Sequence, residues 1–366
     1  MKIGIDASAL AQDNKSGVEW YTYHLLRHMA QQTFAVKVFL YVPKSLSYDV
    51  QLSLPSSWEI RVLQWPFCIG CTQLRVSLEL LLHPIDVYFS PSYVPPLIHP
   101  KRTIITIHDL AVKTNPGEFS WRERFRQRIA LWRTLHAASH ICAVSQATRN
   151  DIVTYFPKYT TPITVTPLGV EEYYFTVAQD DQKKNIRHTY KLPPKYFLVL
   201  GRVTAKKNPQ GAIQFTRAYR EQTGEDVHVV FAGSIQEHTK NILLQDVPEW
   251  VHFLGYVQEH DVPTLLQEAQ VLLFLSRKEG FGLPILQAYA SGIPVVISDD
   301  LALKTIAGET GLVLDVRHMD ITVQKLYALL SDTLQREQLK NVLRARGKAY
   351  TWNATACATC KVFTAK

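Results

Sequence analysis

One segment combines a carboxylate with closely spaced glycines just before a predicted helix. It reads Arg277-Lys-Glu-Gly-Phe-Gly-Leu-Pro284. Gly280 and Gly282 lack side chains, so a ligand can approach the backbone, and Pro284 suits a first helical turn because its missing N–H would be unbonded there. Unbonded N–H groups at a helix start bind anionic or hydroxyl-rich ligands. The segment predicts a ligand site, although an ordinary strand-to-helix turn with an exposed Glu279 shares these features.

Two basic residues, Arg202 and Lys207, follow a predicted strand and precede a predicted helix. An anionic group in such a loop can be stabilised by a metal ion or by fixed cations. No Asp-x-Asp pair stands at a predicted strand end to hold a divalent cation, which favours fixed cations. Basic loop residues are also common as plain surface charge, so the spacing alone leaves both interpretations open.

Two positions in the first half of the chain could also face a ligand. Gly17 follows the first predicted strand, and a glycine there lets backbone amides approach a phosphate. His108 and Asp109 close another predicted strand, where a histidine is either a hydrogen-bonded structural residue or a participant in chemistry. Asp109 could cap a helix or hold His108. No buried carboxylate stands out as a covalent nucleophile of the hydrolase kind.

Length and composition set the broad class of the protein. The 366 residues exceed what one hydrophobic core usually supports, which predicts two domains. The formal charge of +8 suggests an anionic partner such as phosphate, nucleic acid or acidic lipid. No nucleic-acid-binding module is recognisable, so nucleic acid is not expected. No apolar run is long enough to span a membrane, which predicts a cytoplasmic protein, soluble or at the inner membrane surface.

The five cysteines include two Cys-x-x-Cys pairs, Cys68/Cys71 and Cys357/Cys360. This spacing is compatible with a zinc site or a redox pair. Neither pair has a thioredoxin-like context, so reduced cysteines in a cytosolic protein are the favoured interpretation. We therefore predict no metal site and leave the role of the two pairs open.

Short β-branched runs alternate with amphipathic stretches, which indicates an α/β fold with parallel sheets covered by helices. The predicted strands are 2–7, 36–42, 87–89, 103–108, 141–144, 163–166, 196–201, 227–233, 251–255, 271–275, 294–298 and 311–314, and the clearest helices are 18–29, 121–137 and 146–155. The polar segment 177–195 predicts a boundary. We predict domains at 1–185 and 186–345, followed by a final segment at 346–366.

These segments resemble the retaining GT-B glycosyltransferases of family 4, or group 1, and most of all the mannosyl- and rhamnosyltransferase branch. The resemblance follows the family's order along nearly the whole chain. It is carried by Gly4-Ile-Asp-Ala, Thr106-Ile-His-Asp-Leu110, Val144-Ser-Gln-Ala-Thr, Thr166-Pro-Leu-Gly-Val170, Gly201-Arg202, Lys207-Asn208, Phe253-Leu-Gly-Tyr256 and the E-x7-E region that starts at Glu279. It implies two doubly wound Rossmann-like domains facing a central cleft, with the last helix crossing back to the first domain.

The resemblance also implies roles for individual residues. Glu279 would bind hydroxyls of the transferred sugar, and Arg202 and Lys207 the diphosphate. His108 would lie beside the donor sugar at the reacting centre. Gln287 stands where the family has a second glutamate that binds the ribose, and its amide keeps an acceptor while losing the charge. The remaining implied donor contacts are Gly17, Tyr256, Val257, Gly280, Phe281, Gly282 and Leu283.

The function implied is retaining transfer of a hexose to a glycan or lipid-linked saccharide acceptor, with mannose from GDP-mannose as the favoured donor. In such enzymes the departing phosphate helps to deprotonate the acceptor, and no metal or other cofactor is expected. Gln287 departs from the family pattern and puts donor affinity or nucleotide preference in doubt. It keeps open an alternative, a non-catalytic subunit that binds a nucleotide sugar or a glycan.

A basic amphipathic helix is predicted over residues 120–133, with five arginines against one glutamate. Its apolar positions Trp121, Phe125, Ile129 and Trp132 could lie on anionic lipid, which would give peripheral membrane contact and a lipid-linked acceptor. They could equally pack into the first domain, and that interpretation is favoured. In the last helix, Trp352 is predicted to be a packing anchor.

Overall fold

The structure is a computed structural model that describes residues 1–12, 15, 17–32, 36–65, 71–92, 94–118, 120–243 and 246–364, without the side chains of 71, 72, 118, 238, 241 and 242. It divides into two compact units. The first comprises Met1–Leu168 and Trp352–Lys366, and the second comprises Gly169–Thr351. Within the described ranges, no helix has the length and apolar character needed to cross a membrane.

The first unit is built on a seven-stranded parallel sheet in the order β3-β2-β1-β4-β5-β6-β7. Its strands are β1 (Lys2–Asp6), β2 (Lys37–Val42), β3 (Glu59–Val62), β4 (Val87–Ser90), β5 (Arg102–Ile107), β6 (His140–Ala143) and β7 (Ile163–Val165). Its first helices are α1 (Gly17–Met29), α2 (Tyr48–Leu52), α3 (Val76–Leu82), α4 (Ala111–Thr114), α5 (Trp121–Ala137) and α6 (Gln146–Tyr155).

The second unit is built on a six-stranded parallel sheet in the order β10-β9-β8-β11-β12-β13. Its strands are β8 (Tyr196–Leu200), β9 (His228–Ala232), β10 (Val251–Gly255), β11 (Val271–Phe274), β12 (Val295–Ile297) and β13 (Leu312–Val313). Its helices are α7 (Asp180–Thr189), α8 (Pro209–Thr223), α9 (Glu237–Leu243), α10 (Val262–Glu268), α11 (Leu283–Ala290), α12 (Leu301–Ala307), α13 (Met319–Ser331) and α14 (Thr333–Lys348).

Both sheets reverse their strand order once, between β1 and β4 in the first and between β8 and β11 in the second. Ligands of doubly wound sheets bind at the carboxyl ends of the strands beside such a reversal. The predicted α/β fold of two doubly wound units is confirmed, and every predicted strand is present. The prediction missed β3 because this edge strand is only partly buried and carries Glu59 and Arg61, so it lacks a continuous apolar run.

The last helix, α15 (Trp352–Thr364), belongs to the first unit. Trp352 is buried, and its ring stacks on His24 at 5.3 Å and lies 6.0 Å from the Tyr21 ring of α1. The predicted role of Trp352 as a packing anchor is confirmed.

The division between the units differs from the predicted boundaries at 185/186 and 345/346. The structure places the divisions at Leu168/Gly169 and Thr351/Trp352. The polar segment that predicted a linker forms α7, which buries Ile186 and anchors Arg187 on Glu268 of α10, with Nε to Oε2 at 2.5 Å. A helix with one narrow buried face and many charges resembles a linker in composition.

The favoured packing of the α5 apolar positions into the first domain is wrong. Trp121 and Phe125 are 67% and 64% exposed, and Ile129 and Trp132 are exposed as well. The helix instead buries Leu131, Thr134 and Leu135. The sequence misled because α5 has two apolar faces, and the larger side chains lie on the outer one.

Candidate active site

The predicted cations and carboxylate of the second unit follow two adjacent strands. Arg202 and Lys207 come after β8, and Glu279 comes after β11, its neighbour where the strand order reverses. Parallel strands bring their carboxyl ends to the same edge of a sheet. The Arg277 N–H donates to the Lys206 carbonyl at 2.9 Å and ties the two loops together. Tertiary structure therefore joins segments more than 70 residues apart in the sequence.

Glu279 is held between two lysines. The Lys207 Nζ lies 2.8 Å from Glu279 Oε1, and the Lys206 Nζ lies 3.7 Å from Oε2. Lys207 Nζ also lies over the Phe274 ring, 4.2 Å from its centroid, a cation–π contact that fixes the ammonium group. Two of the predicted site residues, Lys207 and Glu279, are thus in direct contact.

The charge state of Glu279 follows from this setting. Burial would raise the pKa of the carboxyl, but the positive charges of Lys207 and Lys206 outweigh it, and the net pKa is lowered. Glu279 is therefore an anion at neutral pH. An ionised carboxylate only accepts hydrogen bonds, which suits it to sugar hydroxyls and not to donating a proton.

The chain turns sharply between Glu279 and α11. Gly282 has φ +108°, a left-handed conformation that favours glycine, and a Cβ there would lie 3.0 Å from Leu303 Cδ2. Pro284 occupies the first turn of α11, and no described side chain caps the start of this helix. The predicted strand, glycine turn and proline-started helix over Gly280, Phe281, Gly282 and Leu283 are present as expected.

Gln287 lies in a hydrogen-bond network. Its Nε2 donates to the Tyr174 hydroxyl at 2.8 Å, and that hydroxyl donates to Glu259 Oε1 at 2.6 Å. Tyr173 donates to the same Glu259 oxygen at 3.0 Å. Burial, and then the Glu259 charge, raise the pKa of Tyr174 well above its usual range, so the hydroxyl keeps its proton. The amide of Gln287 is therefore matched to an oxygen that can only accept from it.

The other predicted positions of the second unit stand apart from this ion pair. Tyr256 and Val257 follow β10, two strands away from β8, and Tyr256 is exposed while Val257 is buried. Burial and the nearby Glu259 raise the pKa of Tyr256. Arg202 is exposed at the end of β8. Described contacts do not join Arg202, Tyr256 or Val257 to Glu279.

His108 of the first unit follows β5 and is fixed by its neighbours. Its Nε2 lies 2.8 Å from the Pro91 carbonyl oxygen, and the Tyr21 ring meets it edge to face at 4.6 Å. Burial lowers the pKa of His108. Since a carbonyl only accepts, Nε2 carries the proton of the neutral ring and Nδ1 has the lone pair. His108 is thus arranged to accept a hydrogen bond through Nδ1.

Asp109 and Gly17 are the two other predicted site positions of the first unit. Asp109 Oδ1 accepts from the Ala111 N–H at 3.0 Å, while the N-cap position of α4 is Leu110, without a side-chain cap. Gly17 begins α1, and a Cβ added there would meet no atom within 4 Å. Residues 13, 14 and 16 of the same predicted loop lie outside the described residues.

The described part of the chain holds no group of three or more His, Cys, Asp or Glu residues placed to bind a metal ion. Cys357 and Cys360 are free thiols on α15, and burial, followed by the neighbouring Cys357, raises the pKa of Cys360 to about 12. At neutral pH such a thiol is almost entirely protonated, so it is a poor nucleophile and a poor metal ligand. Cys68 and the Cys71 side chain lie outside the described residues.

Three site residues were missed by sequence reasoning. Lys206 could have been found, because it adjoins Lys207 in the same basic loop. Tyr174 and Glu259 gave no signal, since they are 113 and 28 residues from Gln287 and belong to no motif. Only the fold brings them to it.

Comparisons with known proteins match both halves of the chain. Residues 15–172 match the family model described as Glycosyltransferase Family 4. Residues 180–346 match the model described as Glycosyl transferases group 1.

Similar proteins and structures agree with these matches. The chain is 28% identical over 277 residues to the O-antigen chain mannosyltransferase B of Escherichia coli, covering 73% of this chain and 71% of that protein. It is 26% identical to the D-inositol 3-phosphate glycosyltransferase of Paenarthrobacter aurescens, covering 72% and 65%. The fold matches WaaG, a glycosyltransferase of lipopolysaccharide biosynthesis, with TM-score 0.75, 13% identity and full coverage of both chains. It matches Anabaena HepE in complex with UDP-glucose with TM-score 0.73, 14% identity and 99% coverage of both chains.

The solved structures show the fold alone, a GT-B arrangement of two parallel-sheet α/β domains. The two family models cover residues 15–172 and 180–346, and the gap between them falls between the last strand of the first sheet and the first strand of the second. The chain belongs to the group 1, family 4 glycosyltransferases.

Proposed function

We propose that this enzyme is a retaining mannosyltransferase that uses GDP-mannose, needs no metal ion, and acts on a glycan or lipid-linked saccharide acceptor. A nucleotide-sugar donor is supported by HepE, whose solved structure is a complex with UDP-glucose. Mannose is supported by the name of the E. coli relative, an O-antigen chain mannosyltransferase. The proposal rests most on one observation, the anionic Glu279 held between Lys206 and Lys207.

This cluster supplies two functions that the reaction needs. Lys207 and Lys206, together with Arg202 of the same loop after β8, would neutralise the diphosphate, and fixed cations do this without the reorganisation that water requires. Glu279 would accept hydrogen bonds from the hexose hydroxyls. The start of α11, with Gly280, Phe281, Gly282 and Leu283, adds backbone N–H groups beside the same ligand. Fixed ammonium groups support the metal-independent part of the proposal.

The remaining donor contacts involve the nucleoside and the first unit. We assign the base to the backbone of Tyr256 and Val257, and the ribose to the neighbourhood of Gln287. In the first unit, the Gly17 amide would approach the phosphate, and His108 would accept a sugar hydroxyl through Nδ1. His108 is neutral at working pH because burial lowers its pKa, so it orients the sugar without adding positive charge.

Transfer with retention would occur on the face from which the phosphate departs. The bond between the anomeric carbon and the phosphate oxygen breaks, and a bond to the acceptor oxygen forms on the same face. The acceptor proton passes to the departing phosphate. The cations after β8 stabilise the charge on that phosphate, and no side-chain nucleophile is needed.

The acceptor is proposed to be lipid-linked because the outer side of α5 is apolar and basic. An exposed stripe of this composition is typical of helices that lie on membranes. Peripheral contact through residues 120–133 would bring the enzyme to a saccharide held at a lipid surface.

The test is donor turnover with EDTA present. Wild-type protein is expected to hydrolyse or transfer mannose from GDP-mannose, and Lys207→Ala and Glu279→Ala should each lose at least about 100-fold in kcat/KM. Lys195→Ala and Glu225→Ala break an exposed ion pair of the same unit and serve as matched controls. Loss of turnover with EDTA that returns with a divalent cation would contradict metal independence.

Donor identity is tested separately by thermal shifts with GDP, UDP, ADP and dTDP sugars. Only a ligand that prefers the folded protein raises its melting temperature. A shift with GDP-mannose alone supports the proposal, and a larger shift with another nucleotide sugar overturns the donor assignment. Binding without turnover across a broad acceptor panel would instead indicate a subunit that has lost catalysis.

A further inference from the structure

Side chains of the first sheet divide between its two faces according to strand register. Paired residues of parallel strands point to the same side of a sheet. Gly4 pairs with Phe39 and with Tyr88, and Tyr88 pairs with Thr103. Ile105 lies two residues beyond Thr103 and so faces the same way. Phe39, Tyr88 and Ile105 therefore mark one face.

Two helices cover this face. Leu80 of α3 belongs to one buried cluster with Phe39 and Tyr88. Leu135 of α5 belongs to another with Ile105. α3 thus lies over β2 and β4, and α5 lies over β5 and β6. Both helices turn their outer sides away from the same face of the sheet.

The outer side of α5 is an apolar stripe with positive charge on either side. Trp121, Phe125, Ile129 and Trp132 are exposed at spacings of four, four and three residues, which align along one side of a helix. At about 100° per residue, three arginines fall on one flank of the stripe and two on the other. The flanking residues are Arg122, Arg126 and Arg133 on the first side and Arg124 and Arg128 on the second.

The single carboxylate of α5 is used to start the helix. Glu123 Oε2 accepts from the Ser120 backbone N–H at 2.9 Å and from its hydroxyl at 2.7 Å, in a reciprocal capping box. Glu123 keeps its charge, but at about 100° per residue it falls on the opposite side of the helix from the apolar stripe.

The outer side of α3 is also apolar. Leu81 and Leu82 are 60% and 62% exposed, and Leu78 is exposed beside them. Exposed Leu97 and Ile98 are tied to the same helical segment, because the Ile98 N–H donates to Ser77 Oγ at 3.0 Å and the Leu97 N–H donates to the Gln73 carbonyl at 3.3 Å. Contiguous exposed aliphatic residues on a monomer usually mark an interaction surface.

The carboxylate of α3 is also withdrawn from the surface. Glu79 is buried, with Arg61 Nη1 at 2.7 Å from one oxygen and Arg75 Nη1 at 3.2 Å from the other. The helix therefore presents leucines without an exposed negative charge.

We propose that α3 and α5 together form one membrane-binding face of the first unit, in which α3 inserts leucines and α5 contributes aromatic residues and arginines that pair with anionic lipid headgroups. Charge complementarity selects an anionic bilayer over a protein partner. Five arginines border an apolar stripe, and tryptophans at its two ends suit the headgroup region. The proposed function places only α5 at the membrane. The inference adds α3, a helix that carries no basic motif.

The inference rests on the proposed function in one respect, the lipid-linked acceptor that brings the enzyme to a bilayer. The binding itself can be measured without catalysis. At 0.1 M NaCl the wild-type protein should bind, and therefore cosediment with, vesicles of phosphatidylcholine containing about 30% phosphatidylglycerol. Affinity should fall at least about tenfold at 0.5 M NaCl or with pure phosphatidylcholine, because screening weakens headgroup attraction.

Paired glutamine variants test each helix, since glutamine preserves helix propensity. Trp121→Gln/Phe125→Gln and Leu81→Gln/Leu82→Gln should each lower vesicle affinity at least about fivefold. Leu334→Gln/Val342→Gln removes two exposed apolar residues from α14 of the other unit and should leave affinity unchanged. All these positions are more than half exposed, so the variants should keep the wild-type melting temperature.

Two outcomes would overturn the inference. Wild-type affinity of the α3 variant for anionic vesicles would remove α3 from the face. A lipid-free dimer that the α3 variant dissociates, with vesicle binding unchanged, would make the leucines an interface between copies. Donor hydrolysis without vesicles should be the same in all variants, so a failure of membrane binding is distinguishable from a failure of the proposed reaction.

Discussion

Gln287 Nε2 donates to the Tyr174 hydroxyl oxygen at 2.8 Å, and the proton of that hydroxyl is committed to Glu259. A carboxylate at position 287 would find no donor here, because Tyr174 has one proton and Glu259 already receives it. Gln287 stands in place of the family's second glutamate, and Glu259 supplies the carboxylate of the same hydrogen-bond network.

Gln287→Glu should consequently destabilise the protein and not restore a better site. We expect a loss of about 1–2 kcal/mol in the free energy of unfolding at pH 8, the cost of an unmatched polar group at a partly buried position. The loss should shrink near pH 4, because a protonated carboxyl can donate to Tyr174 as the amide does. Urea unfolding at the two pH values measures it.

The double variant Gln287→Glu/Glu259→Gln should recover most of that loss, since Tyr174 can then donate to the new carboxylate. Tyr174→Phe is the control, because it removes the shared hydroxyl. Equal losses for Gln287→Glu in the presence and absence of Glu259 would show that the two residues are not coupled.

The ion pair of Lys207 and Glu279 predicts a specific pH dependence of stability. The folded-state pKa of Glu279 is lowered, so its contribution is present above the ordinary carboxyl pKa and is lost as pH falls through the folded value. Glu279→Gln should therefore differ from wild type by about 1–2 kcal/mol near pH 7 and converge with it in acid. Urea midpoints from pH 7 downwards would show the convergence, and a difference that grows in acid would contradict the assignment.

His108 predicts a loss of stability on acidification that begins at a higher pH than the loss expected for Glu279. Its folded-state pKa is lowered by burial, so below the ordinary histidine value the unfolded chain binds a proton that the folded protein does not. Stability should fall as pH decreases through about 6.5 towards the folded value. His108→Gln can still donate to Pro91 and should remove that slope, which comparison of unfolding free energies at several pH values would reveal. An NMR titration placing the pKa of His108 above 6.5 would refute this prediction.

Substitutions of two glycines should distinguish a loss of ligand contact from a loss of folding stability. Gly17→Ala should fold normally, because a Cβ there meets no atom within 4 Å, but should reduce kcat/KM for the donor if the Gly17 amide contacts phosphate. Gly233→Ala should destabilise by roughly 2 kcal/mol or more, since its Cβ would lie 2.2 Å from the Gly201 carbonyl oxygen. Melting temperature and donor kinetics of both variants provide the comparison, and unchanged kinetics in Gly17→Ala would remove Gly17 from the site.

Trp352 should act as the anchor of α15 on the first unit. Trp352→Ala would remove a buried ring that stacks on His24, at a cost of about 3–5 kcal/mol. Hydrogen exchange should then show α15 opening before the sheet of the first unit. Trp121→Ala removes an exposed ring of the same size and should have little effect on stability, which makes it the matched control.

Much of the fold could be predicted because local patterns and the tertiary structure agree. Buried parallel strands appear in the sequence as short apolar runs, and glycines with Pro284 mark the turn before α11. Edge strand β3 and helix α7 were not predicted, because both are only partly buried and contain charged residues that interrupt the apolar pattern. The boundary was predicted at 185/186 and lies at 168/169 for the same reason, because the polar segment that forms α7 resembles a linker.

The sequence by itself determined two doubly wound units and the residue types of the site, since these depend on local periodicity and on motif order. Tertiary structure alone decided which side chains meet: Lys206 joins Lys207 at Glu279, and Tyr174 joins Gln287 to Glu259. It also decided that α5 buries its narrower apolar face and exposes its aromatic one. A helix with two apolar sides has no unique orientation until the sheet beneath it is formed, because the side chains of that sheet select which face packs.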